Sequence, residues 1–318
     1  MIPSGTTLND ANQMAASGVR TVRVQVNWGF IEQSPGHRDW SFYDDFIGNL
    51  AAARLQALPV LLGVPTWISS RGSRPPIYTG SQRRAWTSFV AELAARYGRN
   101  GGFWRERPGL PYHPFVDWEV WNEPNLAVYW GGRPNPRRYV RLLRLTRAAL
   151  DPVDPSARLI IGGIFPPPRA RYGVSLRTFL DRLYRVRGAR RAFDALAIHP
   201  FAGRPKGVIA ACREARRLMN SHRDRRTPLW ITELGWSTGG TNWRRSPFRA
   251  TESTQAKYLT RTFRRLIALR RALRLERLVW HAWQDTNVPG APWTLHMGLL
   301  RSDGSPKPSL LAYSRIAG

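Results

Sequence analysis

The sequence predicts an α/β fold of repeated βα units, a (β/α)8 TIM barrel whose first strand is truncated or very short. Short runs rich in β-branched residues alternate with longer segments of helical period, which is the pattern of a parallel sheet covered by helices. The chain has 318 residues, and barrels of about 250 residues or more are ordinary single domains. We therefore expect one domain over residues 1–318.

Seven strands are predicted, and a closed barrel needs one more. Residues 9–17, before the first predicted strand, have helical character, so only residues 1–5 are left to supply the missing strand. We expect a short stub there, with the complete amino terminus upstream of Met1. The predicted strands are 19–26, 58–64, 116–121, 159–164, 195–199, 229–233 and 278–283. Helices are predicted at 43–54, 83–97, 137–150, 176–186, 208–221, 254–273 and 309–316.

The first predicted strand carries polar residues on one face. Successive side chains of a strand point to opposite sides, so Arg23, Gln25 and Asn27 share one face and three valines share the other. Polar residues on a buried barrel strand are expected to point toward the barrel axis and the site above it. Two interpretations of Arg23 stay open: a substrate-binding residue, or a buried ion pair with Glu119.

The net charge of +28 does not by itself predict a nucleic-acid partner. Lysine occurs three times, so 49 − 3 = 46 of the basic residues are arginine, a bias typical of GC-rich genomes. The arginines are dispersed, and the densest group, at 261–274, lies on the polar face of a predicted amphipathic helix. No nucleic-acid-binding motif accompanies them, so no nucleic-acid partner is expected.

Other features exclude several classes of site. The apolar runs are far shorter than the roughly 20 residues of a membrane-spanning helix, so no span is expected. The single Cys212 excludes an intrachain disulfide and a multi-thiolate zinc site. The histidines lack the His-Glu-x-x-His spacing and no glycine loop has a phosphate-binding pattern, so neither a metal nor another cofactor is expected. The sequence as given has no leader, which suits a cytoplasmic protein, or a secreted one whose leader is missing.

Two predicted strands end in a single glutamate. The segment WEVWNEPN at 118–125 is an apolar strand that stops at Asn122, Glu123 and a proline, and proline ends regular strand pairing. The segment LWITELGW at 229–236 delivers Glu233 just before a glycine. Both glutamates are therefore expected at the carboxyl-terminal mouth of the barrel, where barrel enzymes hold their reactive groups.

These motifs resemble those of clan A of the glycoside hydrolases, the cellulase-like retaining (β/α)8 enzymes that include families 5 and 39, and the resemblance spans essentially the whole chain. In that clan the acid/base follows an Asn at the end of the fourth strand, and the nucleophile ends the seventh. With the truncated strand counted, this implies Glu123 as the general acid/base and Glu233 as the nucleophile. The resemblance also implies that Asn122 binds the sugar 2-hydroxyl, that His199 lies near the nucleophile, and that Trp283 floors the subsite of the cleaved sugar.

The activity that the resemblance implies is cleavage of O-glycosidic bonds, usually β-linked, by double displacement. One carboxylic acid protonates the leaving oxygen while the other carboxylate attacks the anomeric carbon, which requires carboxyls about 5–5.5 Å apart. The expected partner is a carbohydrate, whether a glycoside, an oligosaccharide or a polysaccharide. Two alternatives stay open: a transglycosidase with the same residues, and a carbohydrate-binding barrel without turnover.

Tryptophans supply the remaining candidates for sugar binding. The chain has 14 of them, and Trp28, Trp67 and Trp236 lie in predicted βα loops. Their flat indole faces suit the C–H faces of pyranose rings. Many clan A relatives have a tyrosine two residues after the histidine that matches His199, where this chain has Phe201, so another residue must supply any such contact to the nucleophile.

Overall fold

The computed structural model describes residues 6–166 and 172–317. Within them seven parallel strands pair in the order in which they occur along the chain. Each connection between neighbouring strands contains at least one helix, which returns the chain to the starting edge of the sheet. The strands are β1 (Thr21–Asn27), β2 (Gln56–Leu62), β3 (Asp117–Val120), β4 (Arg158–Ile164), β5 (Ala195–Ile198), β6 (Leu229–Ile231) and β7 (Leu275–Leu278).

Helices of very different length fill the connections. They are α1 (Leu8–Ala16), α2 (Trp28–Ile31), α3 (Ser41–Ala52), α4 (Gly80–Tyr97), α5 (Gly102–Glu106), α6 (Ala127–Trp130), α7 (Pro136–Leu150), α8 (Leu176–Tyr184), α9 (Pro205–Ser221), α10 (Glu252–Ala268), α11 (Arg270–Leu273) and α12 (Pro308–Ala317). The long helices begin at residues suited to capping. Thr79 and Thr251 accept hydrogen bonds from first-turn amides of α4 and α10, and Asn135 caps α7 just before its proline.

The sheet is strongly curled. Arg23 on β1 contacts Glu233, which follows β6, although five strand spacings would separate them by about 24 Å on a flat sheet. Leu58 on β2 and Trp230 on β6 likewise belong to one buried cluster, separate from the main core between sheet and helices. Curling therefore brings the carboxyl ends of distant strands to one place.

The seven strands occur in the predicted order, and one of them is shifted. The last strand is Leu275–Leu278 rather than 278–283, because β7 carries exposed Glu276 and Arg277 and so lacks the apolar run that marks the other strands. Beyond it the backbone leaves regular pairing, and Ala282 N donates to Met297 O. The expected amino-terminal stub, residues 1–5, lies outside the described residues. A complete eight-stranded barrel is not seen in the described part.

The arginine-rich segment forms the predicted amphipathic helix. It is interrupted at Leu269, which separates α10 from α11, and its arginines are exposed. Across residues 6–166 and 172–317, no helix combines the length and apolar character needed to cross a membrane.

Candidate active site

A buried glutamate, Glu123, and a partly buried one, Glu233, meet where β3 and β6 end. One carboxylate oxygen of Glu123 and one of Glu233 lie within 4.8 Å of each other. Their side chains are 9% and 12% exposed, so both remain accessible from one side. The two strand-end motifs therefore place their carboxyls at one site.

The backbone that presents Glu123 is in the left-handed region. Trp121 has φ 70° and Glu123 has φ 41°, and such backbone costs about 1–3 kcal/mol for a residue other than glycine. Hydrogen bonds hold it: Trp121 N donates to Leu61 O and Leu126 N donates to Glu123 O, both at 2.8 Å. Gly162 on β4 leaves the room, because a Cβ there would lie 2.2 Å from Trp121 O. The kink that turns Glu123 into the site is thus fixed by its surroundings.

Arg23 connects three residues of the site. Its Nε and Nη2 donate to the Glu119 carboxylate at 2.7 and 3.0 Å, and its Nη1 donates to Glu233 Oε1 at 2.5 Å. Nη2 also donates to Asn122 Oδ1 at 2.9 Å. Because that bond fixes the Asn122 amide, its Nδ2 remains the group that can donate to a ligand. Arg23 therefore forms the predicted ion pair with Glu119. It also contacts Glu233 and Asn122, so its partners in the structure are residues of the candidate site.

The two glutamates are held in opposite charge states. Burial raises the pKa of Glu123 well above its ordinary value, and the negative charge of Glu233 raises it further. Burial would also raise the pKa of Glu233, but nearby positive charge outweighs it and lowers that pKa: His199 and His281 contribute when they are protonated, and Arg23 contributes at every pH. Burial lowers the pKa of His199 to about 3, so His199 is neutral at neutral pH and Arg23 is the permanent cation beside Glu233. One protonated and one ionised carboxyl is the division of roles that acid and nucleophile require.

A chain of hydrogen bonds explains how the Glu123 proton is held. Thr232 Oγ1 donates its only hydrogen to Glu119 Oε1 at 3.1 Å, so it must accept from His199 Nε2 at 3.0 Å. Neutral His199 then carries its hydrogen on Nε2 and has a bare Nδ1, which lies 2.8 Å from Glu123 Oε1. A bare nitrogen there accepts from a protonated Glu123. The tautomer of His199 thus follows from Glu119, whose carboxylate is held in an ion pair by Arg23.

Gly163 on β4 provides the space for His199. A Cβ at Gly163 would lie 2.0 Å from His199 Nε2, closer than any real contact. The amide of Gly163 donates to Glu119 Oε1 at 3.0 Å. The consecutive glycines of β4 therefore admit the Trp121 backbone at one position and the histidine ring at the next.

An open cleft of about 640 Å³ lies beside the glutamates, within the usual range of ligand pockets. The loops after β1, β2 and β3 line it, and it reaches the site at Asn122, while the two carboxyls themselves lie just outside its lining. Phe30 and Tyr129 contribute exposed aromatic rings to its walls. Neither ring carries a motif that the sequence alone could single out; only their exposure beside the cleft marks them.

Two of the four tryptophans predicted to bind sugar cannot reach a ligand, because they belong to the core. Trp28 and Trp236 are fully buried, Trp28 against Phe89 and Trp236 against Tyr258, because the loops that carry them fold back onto the helices. Trp67 is half-buried and donates to Glu32 O at 3.0 Å, outside the cleft lining. A position in a βα loop therefore did not separate sugar-binding tryptophans from core tryptophans.

His281 is a site residue that the motifs did not reveal. Its Nδ1 lies 3.9 Å from Glu233 Oε2, and its side chain is 31% exposed. The Phe201 ring packs edge-on against it at 6.2 Å, so a histidine lies beside Glu233 where many clan A relatives have a tyrosine hydroxyl. Trp283, two residues further, is half-buried, and its indole Nε1 has no hydrogen-bond partner among the described residues.

Glu123, His199 and Glu233 also have the spacing of metal ligands, since one ligand atom of each lies within 4.8 Å of the others. Each already has another partner: His199 bonds Glu123 and Thr232, and Arg23 holds Glu233. The Arg23 charge beside Glu233 opposes a second cation. This set therefore suits proton transfer better than metal binding.

No protein-family model matches the sequence, and no curated protein is similar to it in sequence. Solved structures are similar in fold. A family 39 glycoside hydrolase from the gut symbiont Bacteroides cellulosilyticus WH2 superposes with a TM-score of 0.73 and 21% identity, covering 100% of this chain and 62% of that one. A monomeric beta-xylosidase from Caulobacter crescentus CB15 gives 0.67 and 20%, covering 96% and 62%.

A GH5_18 variant from Bifidobacterium longum subsp. longum, in complex with Manb1-4GlcNAc, gives a TM-score of 0.69 and 14% identity, covering 98% of this chain and 72% of that one. The resemblance to clan A is therefore confirmed at the level of the fold. The chain spans less than two thirds of the length of the family 39 hydrolase and of the beta-xylosidase.

Proposed function

We propose that this chain is a retaining glycoside hydrolase with Glu123 as the general acid/base and Glu233 as the nucleophile. The observation that carries the proposal is the pair of neighbouring carboxyls with opposite pKa shifts, one raised and one lowered. Oxygens within 4.8 Å of each other suit direct attack on the sugar, whereas inverting enzymes separate their carboxyls by about 6.5–9.5 Å to admit a water. We further propose that residues 1–318 form one domain of (β/α)8 type, as in the similar hydrolases.

In the first step the Glu233 carboxylate attacks the anomeric carbon while Glu123 gives its proton to the glycosidic oxygen, so the C–O bond breaks and a glycosyl ester forms. Oε2 of Glu233 is the attacking oxygen, because Oε1 is held by Arg23 and Oε2 lies 3.7 Å from His199 without a direct hydrogen bond. In the second step ionised Glu123 removes a proton from water, which attacks the same carbon and releases Glu233.

The remaining residues orient the sugar and the acid. Asn122 Nδ2 donates to the 2-hydroxyl, a bond that strengthens in the transition state. His199 holds the proton of Glu123 until a glycosidic oxygen replaces it. Trp67 and Trp283 remain proposed sugar contacts at the edge of the site. The substrate is a carbohydrate with an O-linked, β-configured bond, and no metal or organic cofactor takes part.

A panel of aryl β-glycosides and β-linked polysaccharides tests the proposal. Proton NMR during turnover should show the β-anomer first, because double displacement retains configuration. The Glu123→Gln/Glu233→Gln double variant, similar in shape, is the control and should be inactive. An α-anomer as first product, or no cleavage of any substrate, would contradict the proposal. Product analysis with an added acceptor sugar separates hydrolysis from transglycosylation.

A further inference from the structure

A wall of the cleft beside the glutamates has no carboxylates. Residues 63–91 and 124–150 contain no aspartate or glutamate, and these segments hold the cleft-lining residues at 63–73, the cleft-lining Tyr129, α4 as far as Ala91 and all of α7. The two helices pack side by side, and Trp86 Nε1 donates to Thr146 Oγ1 at 3.0 Å between them. Arg138 also lies over the Tyr78 ring, so the two acid-free segments are neighbours in the fold.

Six exposed arginines lie at the cleft end of these segments, and we call them the arginine patch. Its members are Arg71, Arg74, Arg84, Arg133, Arg137 and Arg138. Gly72 and Ser73, between the first two, line the cleft. Gly131 is close to Arg74, whose Cα lies 2.9 Å from the position of a Cβ at that glycine. None of the six forms an ion pair with a carboxylate in the described part of the chain.

Two charges of the patch are held close together. The guanidinium groups of Arg74 and Arg138 lie 4.2 and 4.9 Å from the centroid of the same Tyr78 ring. They can be no more than about 9 Å apart, which is comparable to the Debye length of roughly 8 Å at physiological salt. Their repulsion is therefore only partly screened, and an anion bound next to both groups would relieve it.

Helix geometry adds to the positive potential. The helices α4 and α7 both begin at this end, where free backbone amides carry partial positive charge. Neither helix has an acidic residue in its first turn, and α7 has Arg137 and Arg138 there instead. Carboxylates are the residues that stabilise helix starts, so basic residues at this place work against local stability and indicate binding.

We propose that the arginine patch binds acidic groups of the substrate, so that the enzyme acts on an anionic glycan. The inference rests on the glycosidase function proposed above. Carboxylate and sulfate groups share the chemistry that guanidinium recognises, namely negative oxygens in a planar or trigonal arrangement. A glycan is favoured over nucleic acid because the patch borders the cleft that reaches Asn122, next to Glu123. A chain bound along the cleft would bring its acidic groups to the patch and one glycosidic bond to the glutamates.

The test compares binding in a Glu233→Gln background, where turnover is prevented. Carboxymethylcellulose and hydroxyethylcellulose share a β-linked backbone and differ in charge, and polygalacturonate and dextran sulfate present carboxylate and sulfate separately. The patch variant is Arg74→Gln/Arg138→Gln. The matched control is Arg225→Gln/Arg226→Gln, which removes two exposed arginines between α9 and β6, at the opposite end of the sheet.

The protein should bind carboxymethylcellulose and not hydroxyethylcellulose, and the patch variant should bind it about tenfold or more weakly at 0.1 M salt. The control should bind as before. Equal loss in both variants, or equal binding of the charged and uncharged polymers, would overturn the proposal. The proposal would also be overturned if the patch variant lost binding to duplex DNA but kept binding to anionic glycans.

Activity assays keep the two proposals distinguishable. With Glu233 restored, kcat/KM for anionic oligosaccharides should fall in the patch variant and stay unchanged in the control. If the wild type cleaves neutral glycosides best and the patch variant cleaves anionic ones normally, the anionic substrate is wrong and the glycosidase stands. If the wild type cleaves no glycoside of either kind, the proposed function itself fails.

Discussion

Arg23 Nη1 lies 2.5 Å from Glu233 Oε1, although Arg23 belongs to β1 and Glu233 follows β6. The same guanidinium binds Glu119 and Asn122, so one planar group with five donors reaches four acceptor oxygens in three residues. Burial of that charge is compensated by two carboxylates. Glu233, the Asn122 amide and the buried Glu119 end of the proton chain therefore depend on one side chain.

Replacing Arg23 by lysine should disable this arrangement while keeping the charge. A single ammonium cannot bind Glu119, Glu233 and Asn122 in the same geometry. We expect kcat/KM for an aryl glycoside to fall on the order of 10²-fold, and the acidic limb of its pH profile to move to higher pH as Glu233 loses its hydrogen bond. The control is Arg20→Lys, an exposed residue just before β1. Similar activity in the two variants would argue against the proposed role of Arg23.

The roles of the glutamates can be separated with azide. In Glu123→Ala, an activated aryl glycoside needs no acid, so the glycosyl ester should still form, but its hydrolysis should slow by about 10²–10⁴-fold for want of a general base. Azide should restore turnover and give a glycosyl azide of retained configuration. In Glu233→Ala, azide should attack the substrate directly and give the inverted azide. The same anomer from both variants would refute the assignment.

Thr232→Val should shift the alkaline limb of the pH profile of kcat/KM to lower pH. Without the hydroxyl, His199 Nε2 loses its acceptor, and the tautomer with hydrogen on Nδ1 becomes favourable. That hydrogen would be donated to ionised Glu123, which lowers the pKa of the acid. A raised Glu123 pKa keeps the acid protonated up to that pKa, so lowering it costs activity at high pH. The matched control is Thr262→Val, a buried hydroxyl without a partner among the described residues; equal profiles would contradict the proton chain.

Gly163→Ala should reduce both stability and activity. The added Cβ would lie 2.0 Å from His199 Nε2, so the ring must move and its bonds to Glu123 and Thr232 must lengthen. We expect the free energy of unfolding in urea to fall by about 1–3 kcal/mol. Gly109→Ala is the control, since nothing lies within 4 Å of a Cβ there and its effect should stay within about 0.5 kcal/mol. Equal stability of the two variants would show that β4 tolerates the methyl.

The sequence predicted those parts of the site that depend on a single strand. Glu123 and Glu233 each stand at the end of an apolar run, so local pattern was enough to place both. The polar face of β1 likewise predicted an inward Arg23, and the alternative partner Glu119 proved to be one of its contacts.

Contacts between distant strands could not be predicted in this way. The proton chain joins residues that follow β3, β5 and β6, and only the curl of the sheet brings them together. The left-handed backbone of Trp121 has no local signal, because a glycine on another strand makes it possible. The prediction that Trp28 and Trp236 bind sugar was wrong because it rested on loop position alone. The position of a residue in a loop does not show whether its side chain faces the core or the solvent.

Glu123, His199 and their supporting residues lie in strands or directly after them, whereas the cleft is lined mostly by the segment 27–33, which contains α2, and by the loop 63–73. Chemistry and recognition therefore reside in different parts of the molecule. Insertions or substitutions in those segments can alter the sugar that is accepted while the protonation states of the glutamates persist. If the proposed activity is right, libraries for engineering a new specificity therefore belong in these two segments, where changes leave the residues that set the protonation states untouched.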